Sequence, residues 1–166
     1  MNQGQLFTVN ATPVKPPKVV ARSQWPVHVT ILGNFQLGVA LGEAVLASWL
    51  SSIARPTPVL SVRLGPRAEF GADKMIPVLL AEDPSFHVMH RSLAREMGQL
   101  ADFEAAEPSS WDVGYRPHAT LGPAVEIAEG DVLPIRWLAL WSLLGNRAER
   151  IAAFPLFEPD SSMARP

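Results

Sequence analysis

The sequence contains no cysteine. That excludes a disulfide framework, a thiolate metal site and a cysteine nucleophile. It has no marked excess of either charge: fourteen Lys and Arg stand against sixteen Asp and Glu, a net charge of −2. The arginines are scattered (Arg63 and Arg67, Arg91 and Arg95, Arg116, Arg147 and Arg150) rather than gathered in a stripe. Proteins that track along a nucleic-acid backbone carry a basic face. A small substrate or a nucleic-acid end is therefore expected, and a long polymer is not. No apolar run approaches the roughly 20 residues of a membrane helix. Met1 to Asn10 also has no basic start leading into an apolar stretch. The expectation is a cytoplasmic protein with no membrane association.

What is present suits a globular chain. Hydrophobic residues make up 48% of the 166, charged residues only 18%, and 16 prolines interrupt the chain. This points to many short elements rather than long helices or disorder. One domain, residues 1–166, is expected. Residues 1–22 would be a short strand (Leu6 to Asn10) and a proline-rich connector from Pro13 to Pro17, and 159–166 a frayed tail.

Val27 to Leu32 alternates like a strand and is ended by Gly33 and Asn34. Leu37 to Ala54 has helical spacing, with Pro56 just beyond. Val59 to Leu64 and Met75 to Ala81 read as strands around a turn-rich stretch. Asp83-Pro84 is a capped helix start. It is followed by an apolar stripe of Phe86, Met89, Leu93, Met97 and Leu100 that packs this helix against a sheet. Glu107 to Trp111 reads as loop and Arg116 to Leu121 as strand. Arg136 to Leu144 and Arg150 to Phe157 form a hairpin around Gly145-Asn146. The class is α+β, and the short connections favour antiparallel pairing.

One pattern occurs twice. Trp25-Pro26-Val27-His28-Val29-Thr30-Ile31-Leu32-Gly33 is echoed by Tyr115-Arg116-Pro117-His118-Ala119-Thr120-Leu121-Gly122. Each has an aromatic residue three positions before a histidine, then His, apolar, Thr, apolar. Two of only four histidines begin it. Residues i and i+2 of a strand share a face, so His28 and Thr30 project together, as do His118 and Thr120. Facing each other across a cleft, they would supply two imidazoles and two hydroxyls. That set suits phosphodiester cleavage without a metal or cofactor. A neutral imidazole takes a proton from the attacking oxygen, and a protonated one gives a proton to the leaving oxygen. Threonine hydroxyls hydrogen-bond the phosphate oxygens as charge builds there. The sequence assigns neither histidine as base.

At these residues the chain resembles the two-histidine (2H) phosphoesterase superfamily, which includes 2′,5′ RNA ligase-like proteins and cyclic nucleotide phosphodiesterases. The resemblance implies a bilobal α+β fold: two antiparallel sheets with pseudo-two-fold symmetry around a central cleft, helices outside. It implies metal-independent hydrolysis of a phosphodiester in a nucleotide or RNA end, such as a 2′,3′-cyclic phosphate, a 2′–5′ linkage or a cyclic oligonucleotide. The sequence departs from the family in one respect: only a short proline-rich segment precedes the first motif. The alternatives are a non-catalytic module that binds a cyclic nucleotide or phosphate on the same fold, and two merely similar core strands.

Outside the motifs, the candidate substrate-binding residues are Trp25 and Tyr115, which could stack on a base, Arg116, which could meet phosphate, and Phe35. Specificity is expected from the loops around Phe35 and Gln36, Gly65 to Lys74, and Glu107 to Tyr115. His87 and His90 share a helix face. With no further ligand at a recognised spacing, they read as a surface or partly buried pair. Trp137 and Trp141 share a sheet face and suit core or cleft lining equally.

Overall fold

The structure, a computed structural model, describes residues 5–38, 42–100 and 102–159. The strands are β1 (Leu6–Thr12), β2 (Val19–Ala21), β3 (Val29–Gln36), β4 (Leu60–Arg63), β5 (Arg67–Phe70), β6 (Ile76–Leu80), β7 (Glu104–Ala105), β8 (His118–Thr120), β9 (Val132–Ile135), β10 (Trp137–Leu144) and β11 (Arg147–Pro155). The helices are α1 (Gly42–Ala54) and α2 (Pro84–Met97). One large sheet runs β2-β11-β10-β1-β3-β8-β6-β5, with β7 on β3, and β4 pairs β9 in a small second sheet. Every strand pairing within these sheets is antiparallel, as the short connections predict. Of the helix expected from Leu37, residues 37 and 38 are not helical and 39–41 lie outside the described residues, as does the expected tail from residue 160 onward.

The sheet has one face for packing and one for the site. Phe7, Val9 and Ala11 of β1, Val29 and Ile31 of β3, and Ala119 of β8 join Leu46 and Leu50 of α1 and Phe86, Met89, Leu93 and Met97 of α2 in one core. The α2 stripe lies where its spacing puts it. Asp83 caps the helix through Ser85 N at 2.8 Å, and Pro84 occupies the first turn. Burying each large apolar side chain contributes up to about 1.5–3 kcal/mol. Alternation then sends Thr8, Asn10, His28, Thr30, His118 and Thr120 to the other face.

Three expectations need correction. β3 does not stop at Gly33 and Asn34 but continues to Gln36, because β1 holds one edge and β7 the other. Two register shifts against β1, between Phe7 and Val9 and between Val9 and Asn10, accommodate extra residues in β3. Ile31 and Leu32 are both buried as a result, which mimics a strand end in the sequence. Second, Phe35 is therefore no cleft residue. It is fully buried and stacks on Phe7 at 5.8 Å. Third, the stretch from Gly65 to Gly71 is not all turn, since β5 lies inside it. The hairpin around Gly145-Asn146 is present, with β11 beginning earlier, at Arg147.

Candidate active site

The two repeated segments meet at the middle of the large sheet. β3 and β8 pair through Val29 and Ala119, the apolar residue between His and Thr in each motif. Antiparallel strands are related by a local two-fold axis normal to the sheet, and here that axis passes through this pair. Each histidine therefore lies on the side of the other strand's threonine. Val29 and Ala119 are fully buried toward the helices. The four polar side chains are half-buried and line one cleft of about 870 Å³.

Both imidazoles are anchored alike. His28 Nδ1 lies 2.8 Å from the Pro26 carbonyl, and His118 Nδ1 lies 2.7 Å from the Arg116 carbonyl. A carbonyl only accepts, so each Nδ1 carries hydrogen and donates, and each Nε2 is left for a substrate. Proline helps in both lobes. Pro26 fixes its own φ beside the carbonyl that it offers. Pro117 restricts Arg116 to extended backbone, which sets the Arg116 carbonyl. An aromatic ring flanks each imidazole: Trp25 at 5.2 Å from His28 and Phe70 at 4.5 Å from His118.

Burial pushes the pKa of both histidines below the ordinary imidazole value; the carbonyl bonds offset this in part. His118 lowers His28 further, and Arg116 lowers His118 further. The two imidazoles thus disfavour double protonation. One neutral and one protonated imidazole beside two hydroxyls can move a proton in and a proton out across a bound phosphate.

The structure separates the other candidates. Trp25 and Arg116 line the cleft. Arg116 is exposed and sits 5.3 Å over the Phe70 ring. Trp25 packs edge-on against Trp141 at 5.2 Å. Trp141 is fully buried, which settles it as core. Tyr115 borders the cleft, but its hydroxyl donates to the Thr30 carbonyl at 2.9 Å and burial raises its pKa. It positions β3.

His87 and His90 divide. His87 meets Glu82 at 3.2 Å. His90 is 1% exposed and stacks parallel on Tyr115 at 4.0 Å. Its Nε2 accepts from Asp112 N at 2.9 Å, so its Nδ1 donates to the Ile31 carbonyl at 2.7 Å. Among the described residues no cluster of three His, Asp or Glu side chains could hold a metal ion, and no helix is long and apolar enough to cross a membrane.

Sequence reasoning missed Phe70, Arg22, Thr8 and Asn10, all of which line the cleft. Phe70 fell within a loop singled out for specificity. Thr8 and Asn10 carried a signal in their alternation with Phe7, Val9 and Ala11.

The fold is that of the 2H phosphoesterases, α+β with a large antiparallel sheet and a small second one. Among solved structures it is similar to one described as a phosphoesterase, with 15% identity over 94% of this chain and all of the other, at a TM-score of 0.58. It is also similar to TT0787 of Thermus thermophilus, with 19% identity over 92% of this chain and 97% of that one, at a TM-score of 0.63. E. coli LigT, solved with NADP+, has 14% identity over 95% of this chain and all of its own, at a TM-score of 0.58. LigT has also been solved with 3′-AMP. No family model and no curated protein matches the sequence.

Proposed function

We propose that this chain is a 2H phosphoesterase that cleaves a phosphodiester in a nucleotide or RNA end, with His28 and His118 as the acid–base pair and Thr30 and Thr120 as phosphate ligands. The observation that carries this reading is the matched anchoring of both imidazoles through Nδ1 in one cleft, which leaves two Nε2 atoms for substrate. One Nε2 takes the proton of the attacking water or hydroxyl. The other gives its proton to the departing ester oxygen, and the hydroxyls donate to the non-bridging oxygens. These steps need no metal. Trp25 and Phe70 flank the imidazoles as stacking surfaces for a base, and Arg116 adds positive charge beside Phe70. A nucleotide substrate is consistent with the 3′-AMP and NADP+ complexes of LigT.

The test is turnover, in EDTA, of 2′,3′-cyclic mononucleotides, a 2′–5′ linked dinucleotide and cyclic oligonucleotides. His28→Ala and His118→Ala are each expected to lower the rate on the cleaved compound by about 10²–10⁴-fold. Retention of the wild-type rate by either variant would remove that histidine from the chemistry.

A further inference from the structure

Two side chains that line the cleft leave a buried donor without a partner, the Trp25 indole and the Asn10 amide, and of these the amide lies in the sheet beside a motif threonine. Asn10 is 1% exposed, sits beside Thr30 in the β1–β3 register and lines the cleft. Its Oδ1 lies 3.5 Å from the Thr8 hydroxyl, whose single hydrogen is directed to the Leu32 carbonyl at 2.8 Å. Its Nδ2 has no hydrogen-bond partner. A buried amide donor without a partner lowers stability, so its place in the sheet has to be explained by something outside the sheet.

The local two-fold axis supplies an independent comparison. It carries Thr30 onto Thr120, and the residue in register with Thr120 is Val78 of β6, fully buried. Thr8 likewise corresponds to Ile76, two residues before Val78, and Ile76 lines the cleft. The fold therefore builds the same sheet position with valine in one half and asparagine in the other. The sheet itself does not need an amide there. The strand flanking the first motif thus gives the cleft polar side chains, Thr8 and Asn10, while those beyond the second give it Ile76 and its register partner Phe70.

We propose that Asn10 is a substrate-contacting residue whose side-chain amide hydrogen-bonds an oxygen of the bound ester beside Thr30. It thereby sets the ester's orientation, with the hydrogen-bonding side in the first half and the base on Phe70 and Ile76. This inference rests on the phosphoesterase reading above. The oxygen belongs to the phosphate or to a sugar hydroxyl, and substitution separates the two. A carboxylate at this position repels an anionic phosphate oxygen but accepts a bond from a hydroxyl.

The experiment measures kcat/KM and Tm for wild type, His28→Ala, Asn10→Leu and Asn10→Asp on the substrate found above, with calorimetric binding of 3′-AMP as a second readout. Asn10→Leu is expected to lose about 10–100-fold in kcat/KM while its Tm holds or rises, because the orphan donor is gone. If Asn10→Asp is worse than Asn10→Leu, the partner is phosphate; if it is better, the partner is a hydroxyl. An Asn10→Leu variant with wild-type kcat/KM, or one whose Tm falls along with activity, overturns the inference and leaves the phosphoesterase reading intact. A wild type that neither turns over any of these compounds nor binds 3′-AMP overturns both.

Discussion

Each imidazole of the pair rests on a carbonyl two residues back, whose hydrogen bond favours the imidazolium by less than burial disfavours it. Burial therefore lowers both pKa values below 6.5, and His118 and Arg116 lower them further. A reaction needing one protonated and one neutral imidazole runs fastest between the two apparent pKa values of the pair. The pH profile of kcat/KM is thus expected to be bell-shaped with its maximum on the acid side of about 6.5. A maximum above about 7.5 would show that the free enzyme's histidines are not perturbed in this way. The His-x-Thr pairs were legible because strand periodicity is two and both motifs follow it. Phe35 was not, because Gly33 and Asn34 read as a strand end, whereas two register shifts against β1 carry β3 past them to Gln36. His90 was half legible: its helix position was clear, but its two backbone partners come from β3 and from a turn more than twenty residues further along the chain.

The elements that were read well are those with dense local signals. The capped start and apolar stripe of α2 are written in consecutive residues, as is the turn at Gly145. β5 and β9 were missed because neither carries a clear apolar alternation: β5 is Arg67-Ala68-Glu69-Phe70 set between Gly65-Pro66 and Gly71. β9 also contains Pro134, which argues against a strand unless its edge is free, and its partner β4 lies far away in sequence. The approach to β8 depends on such long-range ties. The Tyr115 hydroxyl binds the Thr30 carbonyl, so the segment entering β8 braces the neighbouring strand. Tyr115→Phe leaves that carbonyl without its partner and is expected to cost about 1–2 kcal/mol in urea unfolding, with a smaller loss in kcat. A variant that changed KM alone, at unchanged stability, would instead make Tyr115 a substrate contact.

At the scale of the molecule, three buried or half-buried histidines, His28, His90 and His118, are all shifted down by burial. Above about pH 6.5 both folded and unfolded chains hold them neutral. As pH falls below that, the unfolded chain takes up protons that the folded one refuses, so stability declines until the folded-state pKa values are passed. Thermal melts between about pH 7.5 and 5 should show Tm falling with acid, and a flat profile would contradict the shifts. The antiparallel α+β class was legible from connection lengths; the family resemblance implied two antiparallel sheets around a cleft, and the structure has one large sheet carrying both motifs and a small β4-β9 sheet away from the cleft. What no local pattern could give is the point of contact between the halves, the pair Val29 and Ala119. In mechanical terms that pair is a pivot. A backbone atom one residue from a pivot is about 3.3 Å from it, so a twist of about 10° moves it only about 0.6 Å. β5 lies two strands beyond β8, about 12 Å from the pivot, and the same twist carries Phe70 about 2.1 Å. By that leverage, any twist between the halves would change the width of the cleft rim several times more than the spacing of the backbone beside the axis.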